Sequence, residues 1–283
     1  MLGAALRSVG HRVNHLPSPR NPDGPLPILL ALRDRRKTAH TVCRGAYPYD
    51  LVTEEQIPEF PWVIAPVGHQ HLRAVVNRLT PHLKEGQVVL WMGNVWDDYD
   101  WLVEQLGAHL VFGFTHFGGN FVKGRLRGWL LPNISLAEGG VPDPERLEEI
   151  KRIWVRAGFR PKMREDMRGW LWTHFAWMGG VMGTALEAGG YRKLRWRWGQ
   201  MKKAFKVVRL GMKEAEAMGA EVRNFKEGRR AYQPLWWNAL KMRVVFMLPG
   251  IAAMVDRGMD REKWGGYVKT MWGKYPSDQE LRM

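Results

Sequence analysis

The sequence is poor in cysteine, in acidic residues and in long apolar runs, and each shortage excludes something. A single cysteine, Cys43, cannot build an internal disulfide framework or a multi-cysteine metal site. Such a lone thiol is expected to be inert, and a reducing compartment, the cytoplasm, is the expected setting. No stretch approaches the ~18 consecutive apolar residues of a membrane-spanning helix. The longest apolar run, Val244 to Val255, is short and holds Pro249 and Gly250. Met1 to Val9 is too short and too mixed for a secretory signal. Neither a Ser-His-Asp arrangement nor G-x-S-x-G appears, so the common hydrolase signatures are missing.

The acid shortage leaves a net charge of +15. That balance attracts polyanions, anionic lipid or phosphorylated ligands without choosing among them. The cations concentrate in one segment. Arg192, Lys193, Arg195, Arg197, Lys202, Lys203, Lys206, Arg209 and Lys213 follow one another with no acid between them. The segment reads as a solvated helix face. Nucleic-acid binding there would rest on charge alone and would weaken steeply with salt. Tryptophan, in contrast, is abundant, with 15 residues. Trp170 and Trp177 stand seven apart, the spacing of one helix face, which points to core or a helix–helix interface. Trp236 and Trp237, beside Lys241 and Arg243, fit a core or dimer interface, and equally a membrane or partner surface.

Along the chain, Ala4 to Val9 reads as the end of a helix stopped by Gly10, and His11 to Leu16 as a strand. A proline-rich loop, residues 17–27, follows. Trp62 to Ala65 and Gln87 to Trp91 read as buried strands. His69 to Leu83 has helical spacing through Leu72, Val75, Val76 and Leu79. Trp96 to Leu106 reads as a helix closed by Gly107, with Asp97, Asp98 and Asp100 complementing its dipole. Leu110 to Thr115 is strand-like, and Phe121 to Leu131 forms a hairpin around Lys123-Gly124. This alternation is the pattern of parallel βαβ units. Gly139-Gly140-Val141-Pro142 marks a boundary, giving domains 1–140 and 141–283. Beyond it nearly everything reads as helix, opening on Asp143-Pro144-Glu145, an N-cap with proline at the first position. Helices are expected near 144–157, 165–187, 196–219 and 228–247. The fold class is therefore α/β, a Rossmann-like parallel sheet followed by an all-helical domain.

Several strings sharpen this order of elements. They are Gly3 to Val13, Leu79-Thr-Pro-His-Leu-Lys-Glu-Gly-Gln-Val-Val-Leu90, Gly113-Phe-Thr-His-Phe117, Gly124-Arg-Leu-Arg127, Ala157-Gly-Phe159, Asp166-Met-Arg-Gly-Trp-Leu-Trp172, Thr184-Ala-Leu186 and Glu214-Ala-Glu-Ala-Met-Gly219. In order and spacing they resemble the ketopantoate reductase family from residue 3 to about 220. The resemblance implies a reductase that uses NADP on a 2-keto acid or related carbonyl substrate, and a homodimer.

The same comparison shows departures. The chain resembles the family only from within the first Rossmann helix, so the first strand and the G-x-G-x-x-G turn that cradles the pyrophosphate are missing from the match. Without a central strand, two strand edges invite pairing with a partner. The family's proton-donating lysine, with asparagines four and eight positions on, corresponds to His174, Met178 and Met182. Four residues is about one turn, so these share a helix face. The imidazole of His174 can supply a proton near neutral pH, while Met178 and Met182 make the substrate pocket apolar or serve as core filler. Where the family has Gln-Asn-Gly, this chain has Met92-Gly93-Asn94, which offers Asn94 as a substrate ligand. Val67 and Gly68 stand where a lysine is usual. With Gly93 and Arg20, which could meet a 2′-phosphate, they are the expected cofactor contacts. His69, His71, His82 and His116 form no convincing metal set. Two readings stay open: a carbonyl reductase with an altered substrate, and a non-redox descendant that binds a ligand or partner.

Overall fold

The computed structural model describes residues 1–18, 27–36, 44–116, 118–139, 144–257, 261–273, 276–277 and 281. Arg20, Cys43 and the expected boundary and cap at residues 140–143 lie outside the described residues. Contacts divide the chain into two compact units, residues 1–93 with 100–167 and residues 94–99 with 168–283.

The first unit is α/β. Its elements are α1 (Leu2–Arg7), β1 (Asn14–His15), β2 (Ile28–Asp34), β3 (Arg44–Tyr47), β4 (Asp50–Leu51), β5 (Trp62–Ala65), α2 (Leu72–Leu79), β6 (Val88–Trp91), α3 (Tyr99–Leu106, whose first residue counts with the second unit), β7 (Leu110–Thr115), β8 (Gly118–Val122), β9 (Arg125–Leu130), β10 (Asn133–Ala137), α4 (Pro144–Arg156) and β11 (Arg160–Arg164). A five-stranded sheet has the order β11-β10-β7-β6-β5. Strands β5, β6 and β7 are parallel, whereas β10 runs antiparallel to β7 and parallel to β11. All four residues of β6 are buried, as an interior parallel strand requires. In β5 only Ala65 is buried, in keeping with its place at the sheet edge. Strands β1 and β4 form a separate parallel pair, and a four-stranded sheet runs β3-β2-β9-β8.

The hairpin expected around Lys123-Gly124 is β8–β9. Lys123 (φ 50°) and Gly124 (φ 71°) both take the left-handed conformation, which matches the twist of a two-residue hairpin. It belongs to the four-stranded sheet rather than to the parallel one. Other expectations are corrected. The strand over residues 11–16 shrinks to Asn14–His15, and β2, β3 and β4 occupy a region without expected elements. The helix expected from Trp96 begins at Tyr99, because Trp96 is drawn into the hydrophobic core of the second unit. Strand β11 was not expected at all, and by contacts it counts, with helix α4, in the first unit. Helix α4 buries Leu147, Ile150 and Trp154 at three- and four-residue spacing, and Trp154 meets Phe159 edge-on at 5.5 Å.

A buried ion pair ties the four-stranded sheet to this region. Arg36 Nη2 lies 2.7 Å from Asp34 Oδ2, and both side chains are almost wholly out of solvent. Arg36 also donates through Nη1 to the carbonyl of Ala157 and lies over the Phe159 ring at 4.9 Å.

The second unit is helical: α5 (Met167–Ala188), whose first residue counts with the first unit, α6 (Tyr191–Leu194), α7 (Trp198–Ala217), α8 (Lys226–Ala231), α9 (Leu235–Met247), α10 (Ile251–Arg257) and α11 (Arg261–Trp272). The helix expected over 228–247 is two helices, because Pro234 lacks an N–H and cannot continue α8. Arg209 satisfies the carbonyls freed there, donating to Ala231 O at 2.9 Å and to Gln233 O at 2.5 Å. Helices α5 and α7 approach closely at Gly180, where an added Cβ would lie 2.6 Å from the backbone nitrogen of Val208. No described helix is long and apolar enough to cross a membrane.

Candidate functional site

The residues singled out by the sequence fall into two groups, one in each unit. In the first unit, Val67 and Gly68 follow β5, and Gly93 follows β6. Both strands are parallel and end at the same edge of the sheet, the edge where α/β folds bind ligands. Met92 N–H donates to Ala65 O at 3.0 Å, which holds the two loops together. A Cβ on Gly93 would sit 2.3 Å from the carbonyl oxygen of Val67, so only glycine permits this approach. Beside it the indole of Trp91 is fully buried, and its Nε1 has no hydrogen-bond partner. At the end of β7, His116 Nε2 lies 3.0 Å from the buried Ser135 hydroxyl, and Arg164 Nε reaches the same oxygen at 3.3 Å. That links His116 to the sheet interior and gives it a partner other than His69, His71 or His82.

In the second unit, α5 presents Trp170, His174, Met178 and Met182 at four-residue spacing. The last three are half-buried. The His174 imidazole stacks on the buried Trp170 indole, with ring centroids 5.1 Å apart and planes 17° from parallel. Met178 and Met182 pack against the helical core while keeping part of their surface open. Arg168, one turn earlier, lies 4.4 Å from the Trp172 ring and 5.5 Å from that of Tyr99.

Asn94 lies elsewhere in this unit. It is buried, and its amide nitrogen donates to the hydroxyl of Tyr267. Its carbonyl oxygen is buried without a partner. Burial pushes the Tyr267 hydroxyl up to about 12, so it keeps its proton near neutrality. The neighbouring segment is held on α5 by Trp172 Nε1, which donates to Trp96 O at 2.6 Å, and by Trp96 and Tyr267 flanking Phe175 at 5.2 and 4.7 Å. The structure thus brings His174, Met178 and Met182 onto one face, and puts Asn94 under Tyr267.

Tyr267 and Trp170 were not picked out by sequence as partners of these residues. For Trp170 a signal existed, since it stands four before His174. None pointed from Asn94 to a tyrosine 173 residues on.

The loops after β5 and β6 are therefore packed on each other at Gly93, with the buried Trp91 indole N–H beside the contact. In the sequence no two glycines stand two apart, so it contains no G-x-G-x-x-G.

No protein-family model matches the chain, and no curated protein matches it. Solved structures do. A putative ketopantoate reductase from Ralstonia solanacearum MolK2 is 16% identical, with 97% of this chain and 95% of that one covered and a TM-score of 0.60. A D-mandelate dehydrogenase solved with NADH and anilino(oxo)acetate is 11% identical over 99% and 91%, with a TM-score of 0.70. A dimeric ketopantoate reductase from Staphylococcus aureus is 11% identical over 90% and 84%, with a TM-score of 0.57. At these identities the likeness establishes the fold, a Rossmann-like unit followed by a helical unit.

Proposed function

We propose that this chain is an oxidoreductase resembling ketopantoate reductase, reducing the carbonyl of a small substrate other than, or in addition to, ketopantoate. The observation that carries the reading is the face of α5, where a half-buried imidazole is oriented by stacking on Trp170 beside two part-exposed thioethers. In this reading His174 is the general acid that protonates the carbonyl oxygen. A nicotinamide, when bound, supplies the hydride. Val67, Gly68 and Gly93 would hold that cofactor through backbone groups, and NADP is the expected form. Met178 and Met182 replace hydrogen-bonding amides with apolar surface, which favours a substrate with an apolar side group. In this reading Asn94 is a further substrate ligand, its carbonyl oxygen accepting a hydrogen bond from a substrate hydroxyl. A homodimer belongs to this reading, supported by the dimeric state of the Staphylococcus aureus protein.

The second reading, a non-redox descendant acting as a ligand- or partner-binding scaffold, is favoured by one observation, Met178 and Met182 standing where the resemblance implies hydrogen-bonding amides. Titration with NADPH followed by cofactor fluorescence separates the two. Saturable binding, with turnover on a panel of 2-keto acids, supports the reductase. Absence of NADPH and NADH binding overturns it in favour of the scaffold.

A further inference from the structure

The outer face of α9 has no role in the chemistry above, and it is unusual. A surface helix normally alternates an apolar inner face with a polar outer one. Helix α9 buries Asn238, Ala239 and Phe246 inward. Apart from Lys241, its outward residues are also apolar: Trp236 is 58% exposed and Val244 56%, and Leu248, just past its end, 51%. Leu240, Val245 and Met247 are exposed with them. Between Leu240 and Pro249 the surface dips into a shallow depression of about 370 Å³, with Arg243 as its one charged wall.

Basic groups frame this patch. Lys241 lies over the Trp237 ring at 4.7 Å, and Arg243 over the exposed Trp196 at 5.9 Å. Arg195 also lies over Trp196, at 5.2 Å, and donates to Phe246 O at 3.3 Å, joining the α6–α7 turn to α9. No acid occurs over residues 188–213 or 228–255. Asp256, at the edge, is engaged in capping the backbone N–H groups of Tyr191 and Arg192 at 2.7 and 3.1 Å. Glu187 faces Lys203 at 3.5 Å.

The geometry points to a docking surface for an anionic phospholipid bilayer. Exposed tryptophans flanked by lysine and arginine suit the boundary between headgroups and acyl chains. The cations meet lipid phosphates, and the aliphatic stripe enters the acyl region. A second copy related by a two-fold axis would instead bring this basic patch against itself, and residues 188–213 and 228–255 supply no acid to offset it. A nucleic acid would use the cations but leave the aliphatic stripe in water.

The test is flotation of the full chain with vesicles of phosphatidylcholine alone and of phosphatidylcholine mixed with phosphatidylglycerol. Binding is expected only to the mixed vesicles, with a blue shift of tryptophan emission. Removing each cation, as Lys241→Gln or Arg243→Gln, should weaken binding about fivefold. Val244→Gln with Leu248→Gln should weaken it further, and both sites are exposed enough to leave the fold intact. Equal binding to neutral vesicles, or none to mixed ones, overturns the proposal. So does a solution dimer dispersed by Val244→Glu, or DNA binding that persists in the glutamine variants without vesicle binding. None of these outcomes depends on NADPH binding.

Discussion

Two glycines of the helical unit should respond to alanine in opposite directions. Gly180 lies where α5 crosses α7. An added Cβ there would come 2.5 Å from Val208 Cγ2, 2.6 Å from the Val208 nitrogen and 3.0 Å from the Ala204 oxygen. Carbon atoms in contact normally sit about 3.5–4.0 Å apart, so the overlap is on the order of 1 Å. The valine side chain can rotate away, but the backbone of α7 cannot, and the helices must separate. Overpacking of this kind costs about 1–3 kcal/mol, against about 1 kcal/mol gained by replacing a helical glycine with alanine. Gly180→Ala should therefore be neutral at best and destabilising by up to about 2 kcal/mol. Gly199, in the first turn of α7, has nothing within 4 Å of an added Cβ. Gly199→Ala keeps only the propensity term and should stabilise by about 0.5–1 kcal/mol. The measurement is the urea midpoint by far-ultraviolet circular dichroism, compared at equal m-values. Val208→Ala added to Gly180→Ala should restore part of the loss, since it removes Cγ2 but not the backbone nitrogen. If Gly180→Ala proved as stable as Gly199→Ala, the close crossing of α5 and α7 would be wrong.

Three further outcomes are expected. Asp34→Ala strands the buried Arg36 guanidinium and should cost about 3–5 kcal/mol in urea unfolding, whereas Asp34→Ala with Arg36→Met should recover much of it; no recovery would discount the pair. His15 is held near a pKa of about 4 by burial, below its ordinary 6.5, and its Nε2 lies 2.9 Å from a Tyr47 hydroxyl that burial pushes up to about 12. Because the unfolded chain takes up this proton first, stability is full above about 6.5 and declines as the pH falls towards about 4, by up to about 2 kcal/mol after allowance for solvent screening. His15→Gln should flatten that part of the urea-midpoint profile, and an unchanged slope would assign it elsewhere. His174→Gln should lower kcat on the best 2-keto acid by about 10²–10⁴ with NADPH affinity unchanged, and His174→Lys should restore part of the rate; an unaffected kcat would remove His174 from the reaction.

What the sequence determined by itself was local. The periods of α4 and α7 were legible because each buries a face at three- and four-residue spacing, and the β8–β9 turn because Lys123-Gly124 adopts left-handed backbone. The register that puts His174, Met178 and Met182 on one face followed from 3.6 residues per turn alone. Tertiary structure decided what depends on distant partners. Strand β11, Arg-Pro-Lys-Met-Arg, is too short and too charged to be read as a strand from sequence, and it forms on the edge that β10 offers it. Trp96 left its expected helix because Phe175 and Trp172 gave it a core to enter. Asn94 found its partner in Tyr267, a contact that no local pattern encodes. The outer face of α9 could not be read from periodicity, because a helix apolar on both sides has no amphipathic signal. Only packing, which covers Phe246 and leaves Val244 in the open, separates the core face from the exposed one.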